Sequence, residues 1–294
     1  MNISYFKNKL LPYLLVLPSV AVIIIFLIFP FYQAVKLSFY QGGAWGANKI
    51  FVAFDNYYDL FTSMDYLASL GRTFVFSTLV TLVGMLISLA LAVLLNQKVR
   101  FRMFYRAALI WPYALSTVIA GVLWALLFDP SIGLITYLVD IFTGVELNWR
   151  TNGKLAFFII TIAAAWRNVG YNVIFMLAGL QNVPTQILES AKIDGASPFQ
   201  SFWKISIPLI SPTLFFLLIM NYLYSFFRTF GLIDVATQGG PGKSTEILTY
   251  KLYQDAFVFF DAGSANAQSV LLFVFIVAFT YLQFKYTQRG VYYG

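Results

Sequence analysis

Six apolar runs dominate the chain. Each is long enough for a helix to cross a hydrocarbon core of roughly 30 Å, which takes about 20 residues. They cover Pro12–Tyr32, Thr73–Leu95, Ala107–Phe128, Leu155–Gly179, Leu209–Phe227 and Ser264–Phe284, and Arg167 is the only charge inside them. The runs are continuous rather than alternating, which argues against a β-barrel. The pattern predicts an all-α integral membrane protein of six transmembrane helices. The first run with its following segment, residues 1–70, stands apart from a core of five spans over residues 71–290.

Between the fourth and fifth runs lies a polar insert, ESAKIDGASPFQSFWKISIP, from Glu189 to Pro208. Pro184 stops the fourth helix, and Thr185–Ile193 suits a short helix. Gly195 suits the left-handed position that closes such a helix. Ser197 then reads as an N-cap and Pro198 as the first residue of a second helix. Phe199, Phe202, Trp203 and Ile207 give that helix an apolar stripe. Pro208 marks the entry to the fifth span. The expected unit is helix, sharp turn, helix, with Glu189, Lys192 and Asp194 projecting at the turn.

Composition sharpens this picture. The chain is 60% hydrophobic and 11% charged, where soluble domains are about half apolar and a quarter charged. It holds no Cys and no His. That removes thiol nucleophiles, disulfides, imidazole acid–base chemistry and most zinc sites. The net charge of +7 belongs to membrane topology rather than to nucleic acid, because basic residues cluster at the ends of apolar runs. With the N-terminus inside, the inner segments carry Lys7, Lys9, Lys98, Arg100, Arg102, Arg106, Lys192, Lys204, Lys285 and Arg289. Only two acids, Glu189 and Asp194, join them. The stretch NQKVRFRMFYR is the sharpest case. The positive-inside rule then puts both termini in the cytoplasm. The first run is longer and more aromatic than a signal-peptide core and is expected to stay uncleaved. Aromatic FVAFDNYYDLF, in the outer segment after it, suits an interfacial helix.

The spacing of the insert carries a resemblance. Glu189-Ser190-Ala191, three residues, Gly195, nine residues and Ile205-Ser-Ile-Pro208 resembles the EAA loop of binding-protein-dependent ABC importer permeases. There the pattern is Glu-Ala-Ala, three residues, Gly, nine residues, Ile, any residue, Leu-Pro. Ser190 replaces an Ala and Ile207 replaces the Leu. The likeness extends over nearly the whole chain: LPYLLVLPS, FDNYYDLF, WPYALSTVIAGVLWALLFDPSIGLIT, TQGGPGKST and QFKY are similar to sugar and glycerol-phosphate permeases. WRNVGYNVIFMLAGLQNVP and YKLYQDAF…SANAQSV point to the glycerol-phosphate branch. The resemblance implies a transport subunit of the inner membrane with no covalent chemistry and no cofactor of its own. It implies a second, homologous permease, a homodimer of ATPase subunits that bind the ATP, and a periplasmic or lipid-anchored substrate-binding protein. Glu189, Ser190, Ala191, Asp194 and Gly195 would couple the chain to the ATPase. The implied cargo is sn-glycerol-3-phosphate or a related glycerophosphodiester, with a disaccharide or oligosaccharide such as maltose as the alternative.

One motif is a decoy. Thr237–Ser244, TQGGPGKS, nearly spells a phosphate-binding loop. Thr237 replaces the first Gly, Pro241 removes a backbone N–H, and no hydrophobic strand precedes it. It reads as an outer-loop turn.

Polar residues inside spans are costly and face a cavity or one another. Arg167, Asn168, Tyr171 and Asn172 in the fourth span, with Asn221, Tyr222, Tyr224, Ser225 and Arg228 at the fifth, are the polar candidates, and Arg167, Asn168, Tyr171, Asn221, Ser225 and Arg228 are chosen for a substrate pathway. Positions 168 and 171, and 221, 225 and 228, share helix faces. Asn and Tyr suit hydroxyls, and Arg suits phosphate. Hydrogen bonding between helices is the competing role for each. The offsets of Tyr171, Asn221, Ser225 and Arg228 from the insert are similar to disaccharide-binding positions in maltose-type permeases. Pro112, Pro208 and Pro212 mark kinks or helix ends. A stand-alone secondary transporter would need span carboxylates for a coupling ion, and none of the six runs has one. An integral membrane enzyme is disfavoured by the missing His and Cys.

Overall fold

A computed structural model describes residues 10–42, 49–97 and 100–287, without the side chains of residues 102, 286 and 287. Lys7, Lys9, Lys98 and Arg289, four of the inner basic residues, lie outside the described residues, as does the side chain of Arg102. The chain forms two compact units. One combines the N-terminal part up to Met64 with Leu252–Val274. The other combines Asp65–Lys251 with the chain from Phe275 onward.

In the first unit, helix α1 spans Leu11–Leu37 and buries none of its apolar residues. A two-residue antiparallel pairing follows, β1 (Tyr40–Gln41) with β2 (Ile50–Phe51). The aromatic stretch FVAFDNYYDLF forms helix α2 over Asp55–Thr62. Asn56 ties this corner together: its amide donates to the carbonyls of Ser38 and Tyr40, at 2.7 and 3.1 Å. Gly263 packs against the same place, since a Cβ there would sit 2.4 Å from the Tyr40 carbonyl.

The second unit begins with α3 (Met64–Asn96), nine residues longer at its start than the apolar run suggested. Next come α4 (Arg102–Ala114), α5 (Thr117–Leu127), α6 (Leu134–Thr143) and α7 (Gly153–Gln181). Then follow α8 (Thr185–Ile193), α9 (Pro198–Leu209), α10 (Ser211–Phe227) and α11 (Phe230–Ala236), while α12 (Leu248–Tyr253) and α13 (Ala262–Thr287) each have residues in both units. Among the described residues, four helices, α1, α3, α7 and α13, are long and apolar enough to cross a membrane unaided.

The third run differs from the expectation of a continuous span. The third turns through 102° between α4 and α5. Pro112 lacks the N–H that would continue the ladder. Leu115 is extended, and Ser116 caps α5 by accepting from the Ile119 amide at 3.2 Å. The 11 residues of α5 cover only about 16 Å, half a bilayer core. At the entry to the fifth run the chain bends by 67° between α9 and α10. The span therefore starts at Ser211-Pro212, and Pro208 lies within the helix before it.

Glycines let these half-helices approach their neighbours. A Cβ on Gly121 of α5 would lie 2.8 Å from the Leu232 carbonyl of α11, and one on Gly231 would lie 2.9 Å from Val118. A Cβ on Gly170 of α7 would meet the Leu109 carbonyl of α4 at 2.5 Å. Close backbone packing through small residues replaces the hydrophobic drive that lipid surroundings remove. The core beneath is apolar. Phe76, Val80, Ile160, Leu232 and Ile247 form one cluster, and Val173, Met176, Leu177, Ile210 and Leu217 form a second.

Candidate functional site

Two places carry the sequence-predicted residues. The first is a cavity of about 350 Å³ lined by Tyr113, Arg167, Asn168, Tyr171, Met220, Leu223, Tyr224, Phe227 and Arg228. It lies where two helices end, at the break after α4 and at the C-terminus of α10. The break frees the Leu115 carbonyl, and Arg167 Nε donates to it at 2.9 Å. The guanidinium also sits 5.7 Å from the Tyr113 ring and 5.6 Å from the Tyr224 ring. Its charge is therefore held by a carbonyl dipole and two aromatic faces rather than by a carboxylate. Tyr171 packs at a tilt against Tyr113 with ring centroids 5.3 Å apart. Arg228, exposed, caps α10.

The cavity thus gathers Arg167, Asn168, Tyr171 and Arg228. It does not gather Asn221 or Ser225. Asn221 is 0% exposed and sits at the centre of an amide cluster. Its Oδ1 accepts from Asn168 at 2.6 Å and from Asn172 at 3.1 Å. Its Nδ2 donates to Asn172 Oδ1 and to the Leu217 carbonyl, both at 2.8 Å. Every polar atom of Asn221 is thereby used in joining α7 to α10. The Ser225 hydroxyl is buried and donates back to the Tyr222 carbonyl at 3.0 Å. Tyr113, Met220, Leu223 and Phe227 line the cavity without having been singled out. Tyr113 follows Pro112 one residue before the end of α4, a pairing that could have marked it.

The second place is the polar insert. The helix, turn and second helix form where the residues indicated. Gly195 has φ +84°. Its amide donates to the Lys192 carbonyl at 3.2 Å, and the Ala196 amide reaches the Ala191 carbonyl at 2.9 Å. These two bonds make a Schellman closure with glycine at the left-handed position. Ser197 and Gln200 exchange bonds in a capping box, at 3.2 and 2.9 Å. The elbow is anchored from below by Leu188, Phe202 and Ile207, which pack on the core cluster of Leu95, Leu180 and Val183. Glu189, Ser190, Asp194 and Gly195 are exposed, and Ala191 is half-buried. Ile193 is 86% exposed and Phe199 72%.

The near-P-loop segment is a turn braced by its own side chains. Thr237 and Thr245 hydroxyls meet at 2.7 Å, and the Thr245 amide donates to the Gly239 carbonyl at 3.1 Å. Lys243 Nζ contacts Asp65 at 2.6 Å, and the element preceding the segment is helix α11 rather than a strand.

Comparison with known proteins gives a consistent set of likenesses. Residues 84–291 match the family model of the binding-protein-dependent transport system inner membrane component. The chain is 42% identical to the sn-glycerol-3-phosphate transport system permease protein UgpA of Rhizobium meliloti (strain 1021), over 98% of both chains. It is 41% identical to the protein of the same name from Escherichia coli O157:H7, over 98% of this chain and 97% of that one. Among solved structures, a bacterial ABC transporter involved in the import of the acidic polysaccharide alginate superimposes with a TM-score of 0.82 at 22% identity, covering 95% of each chain. A second structure of the alginate transporter holds an alginate pentasaccharide-bound periplasmic protein.

Proposed function

The chain belongs to the binding-protein-dependent transport inner membrane components, and from that premise we propose that it forms half of an ATP-driven translocation pathway for sn-glycerol-3-phosphate. As a permease of this family it is a multi-pass inner-membrane transport subunit and not an enzyme. Two arginines on an otherwise carboxylate-free cavity carry the substrate reading. Arg228 meets the phosphate as a fork of charged donors. Arg167, already anchored to Leu115, supplies fixed positive potential. Asn168 and Tyr171 face the glycerol hydroxyls. The cavity volume lies at the lower end of the range for small-molecule sites, which suits a three-carbon phosphate ester.

The rest of the assembly follows the same reading. The third span is broken, and with α10 as the fifth crossing there are six in all. Discontinuous helices are where transporters place their substrates. The elbow at Glu189–Gly195 faces the cytoplasm as an EAA loop, and both termini lie on that side. It docks on one subunit of an ATPase pair, so that closure of the ATPases tilts the helices behind it as rigid bodies. A second permease completes the pathway, and a substrate-binding protein loads it from outside.

Uptake into proteoliposomes holding the assembled complex tests this. sn-Glycerol-3-phosphate enters with ATP inside, and Arg228→Ala raises its KM by about tenfold or more, the scale of one charge-assisted contact. Uptake of a neutral disaccharide, with phosphate esters refused by the binding protein, would overturn the assignment in favour of a sugar.

A further inference from the structure

A second cavity adjoins the arginine cavity along the seam between α4 and α7. About 300 Å³ in volume, it is lined by Arg106 and Ile110 of α4 and by Val173, Ile174, Leu177, Ala178 and Gln181 of α7. The arginine cavity takes Tyr113 from α4, and Arg167 and Tyr171 from α7. On α4 the lining positions therefore run 106, 110, 113, and on α7 they run 167, 171, 174, 178, 181. Steps of three and four residues keep to one helix face, so both cavities open on one continuous strip. Ile110 lies three residues from Tyr113, and Ile174 three from Tyr171, a rise of about 4.5 Å. The partition between the cavities is thus the tilted Tyr113–Tyr171 pair.

Arg106, half-buried, is the charged member of the second lining, and no carboxylate stands with it. Gln181, exposed, ends α7 four residues before the first residue of the elbow helix α8. Val173 and Leu177 form the back wall. They belong to the apolar cluster on which Leu188, Phe202 and Ile207 of the elbow pack. A shift of the elbow is felt at this wall through direct side-chain contact.

We infer that this cavity is the release station for the transported phosphate group, received by Arg106 after it leaves Arg167 and Arg228. The assignment rests on the importer reading above, which puts the elbow, and with it this end of α7, on the cytoplasmic side. An anion moving past Ile110 and Ile174 loses water, which is costly without a counter-charge. A guanidinium further along the same strip offsets that loss with charge-assisted bonds. Two arginines above and one below make a descending series, in which a solute binds firmly enough to enter and weakly enough to leave. The Gln181 amide serves the glycerol hydroxyls as donor or acceptor. A phospholipid headgroup carries the same phosphate chemistry. The lining favours the solute, because it continues the strip that already holds Arg167 and Tyr171.

The chain has no Cys, so Ala178→Cys puts the chain's one thiol on this lining. In nanodiscs of the complete complex a maleimide labels that thiol. sn-Glycerol-3-phosphate at about ten times its Kd slows the labelling about tenfold, as occupancy by mass action requires, and glycerol does not. Arg106→Gln in the same background removes the protection, and Arg106→Lys restores part of it. In proteoliposomes Arg106→Gln lowers the maximal rate of uptake about tenfold without raising KM, the split expected of a contact made after loading. Labelling slowed by phosphatidylglycerol in the disc and indifferent to sn-glycerol-3-phosphate would give the cavity to a lipid and overturn the inference. Protection that survives Arg106→Gln overturns it too. Both results leave the importer reading intact if the unsubstituted complex takes up sn-glycerol-3-phosphate. Absence of that uptake overturns the importer reading itself, and the release station falls with it.

Discussion

Asn221 and Arg167 show how alike two polar residues in a span look along the sequence, and how differently they are used. Both interrupt apolar runs, and both were candidates for the pathway. Asn221 spends its carbonyl and its amide on neighbours inside the protein. Arg167 gives one nitrogen to Leu115 and lays its charge over two rings, still on the cavity wall. Asn221→Ala is therefore expected to cost about 1–2 kcal/mol of stability, at the upper end for interhelical polar contacts. It would lower the unfolding midpoint in detergent with little change in KM for the transported solute. A large rise in KM at unchanged stability would make Asn221 a substrate ligand. Arg167→Lys keeps the charge but loses the planar group that stacks on Tyr113 and Tyr224. Uptake in that variant falls toward the level of Arg167→Ala. Full uptake by the lysine variant would show that only net charge matters there.

At the scale of elements, the elbow and the bent span make opposite lessons. The elbow was legible because its signals are local. Gly195 closes one helix, Ser197-Pro198 opens the next, and each acts within four residues. Gly195→Pro cannot adopt φ +84° and loses the N–H that reaches Lys192. It is expected to disconnect ATP hydrolysis from uptake, and full uptake in proteoliposomes would remove the elbow from the coupling path. Gly195→Ala keeps the N–H and pays only the left-handed strain of about 1–2 kcal/mol, so it should retain more transport than the proline. The third run misled because 22 apolar residues satisfy a spanning length whether they run straight or turn. Its turn is set by Pro112, by the Ser116 cap, and by the glycine contacts of α4 on α7 and α5 on α11. Only the first two are written locally. Gly121→Val would drive a side chain into the Leu232 backbone, and a loss of assembled complex on size exclusion is the expected outcome.

Across the molecule, charged side chains brace the segments that connect the long helices. The Asp129 carboxyl is held below its ordinary value of 3.8, chiefly by the Ser131 amide and then by the Ile132 amide and Arg150. The Lys243 ammonium is raised above 10.5 by Asp65 beside it. A depressed carboxyl stabilises the fold above its unfolded value, and that share is lost as pH falls through the folded one. A raised ammonium stabilises below its unfolded value, and its share is lost as pH climbs through the folded one. Hydrogen exchange of residues 128–150 and 239–246 should thus be insensitive to these groups between the two ordinary values. Asp129→Asn should abolish the acid-side loss of protection in 128–150 alone. An acid limb that survives the substitution would place its origin elsewhere.

The sequence by itself determined the helical class, the long α1, α3, α7 and α13, and the elbow with its glycine. Hydrophobic runs and caps act on the residues that carry them, and solvation by lipid or water needs no partner to be read. Tertiary structure alone decided which polar side chain joins helices and which faces a cavity. It also decided where the third run turns and that a second cavity adjoins the arginine cavity. Those outcomes depend on what a residue meets across the fold, such as Gly170 against Leu109 or Asn168 against Asn221. No period or motif along a single segment records the distance between two atoms brought together from different helices.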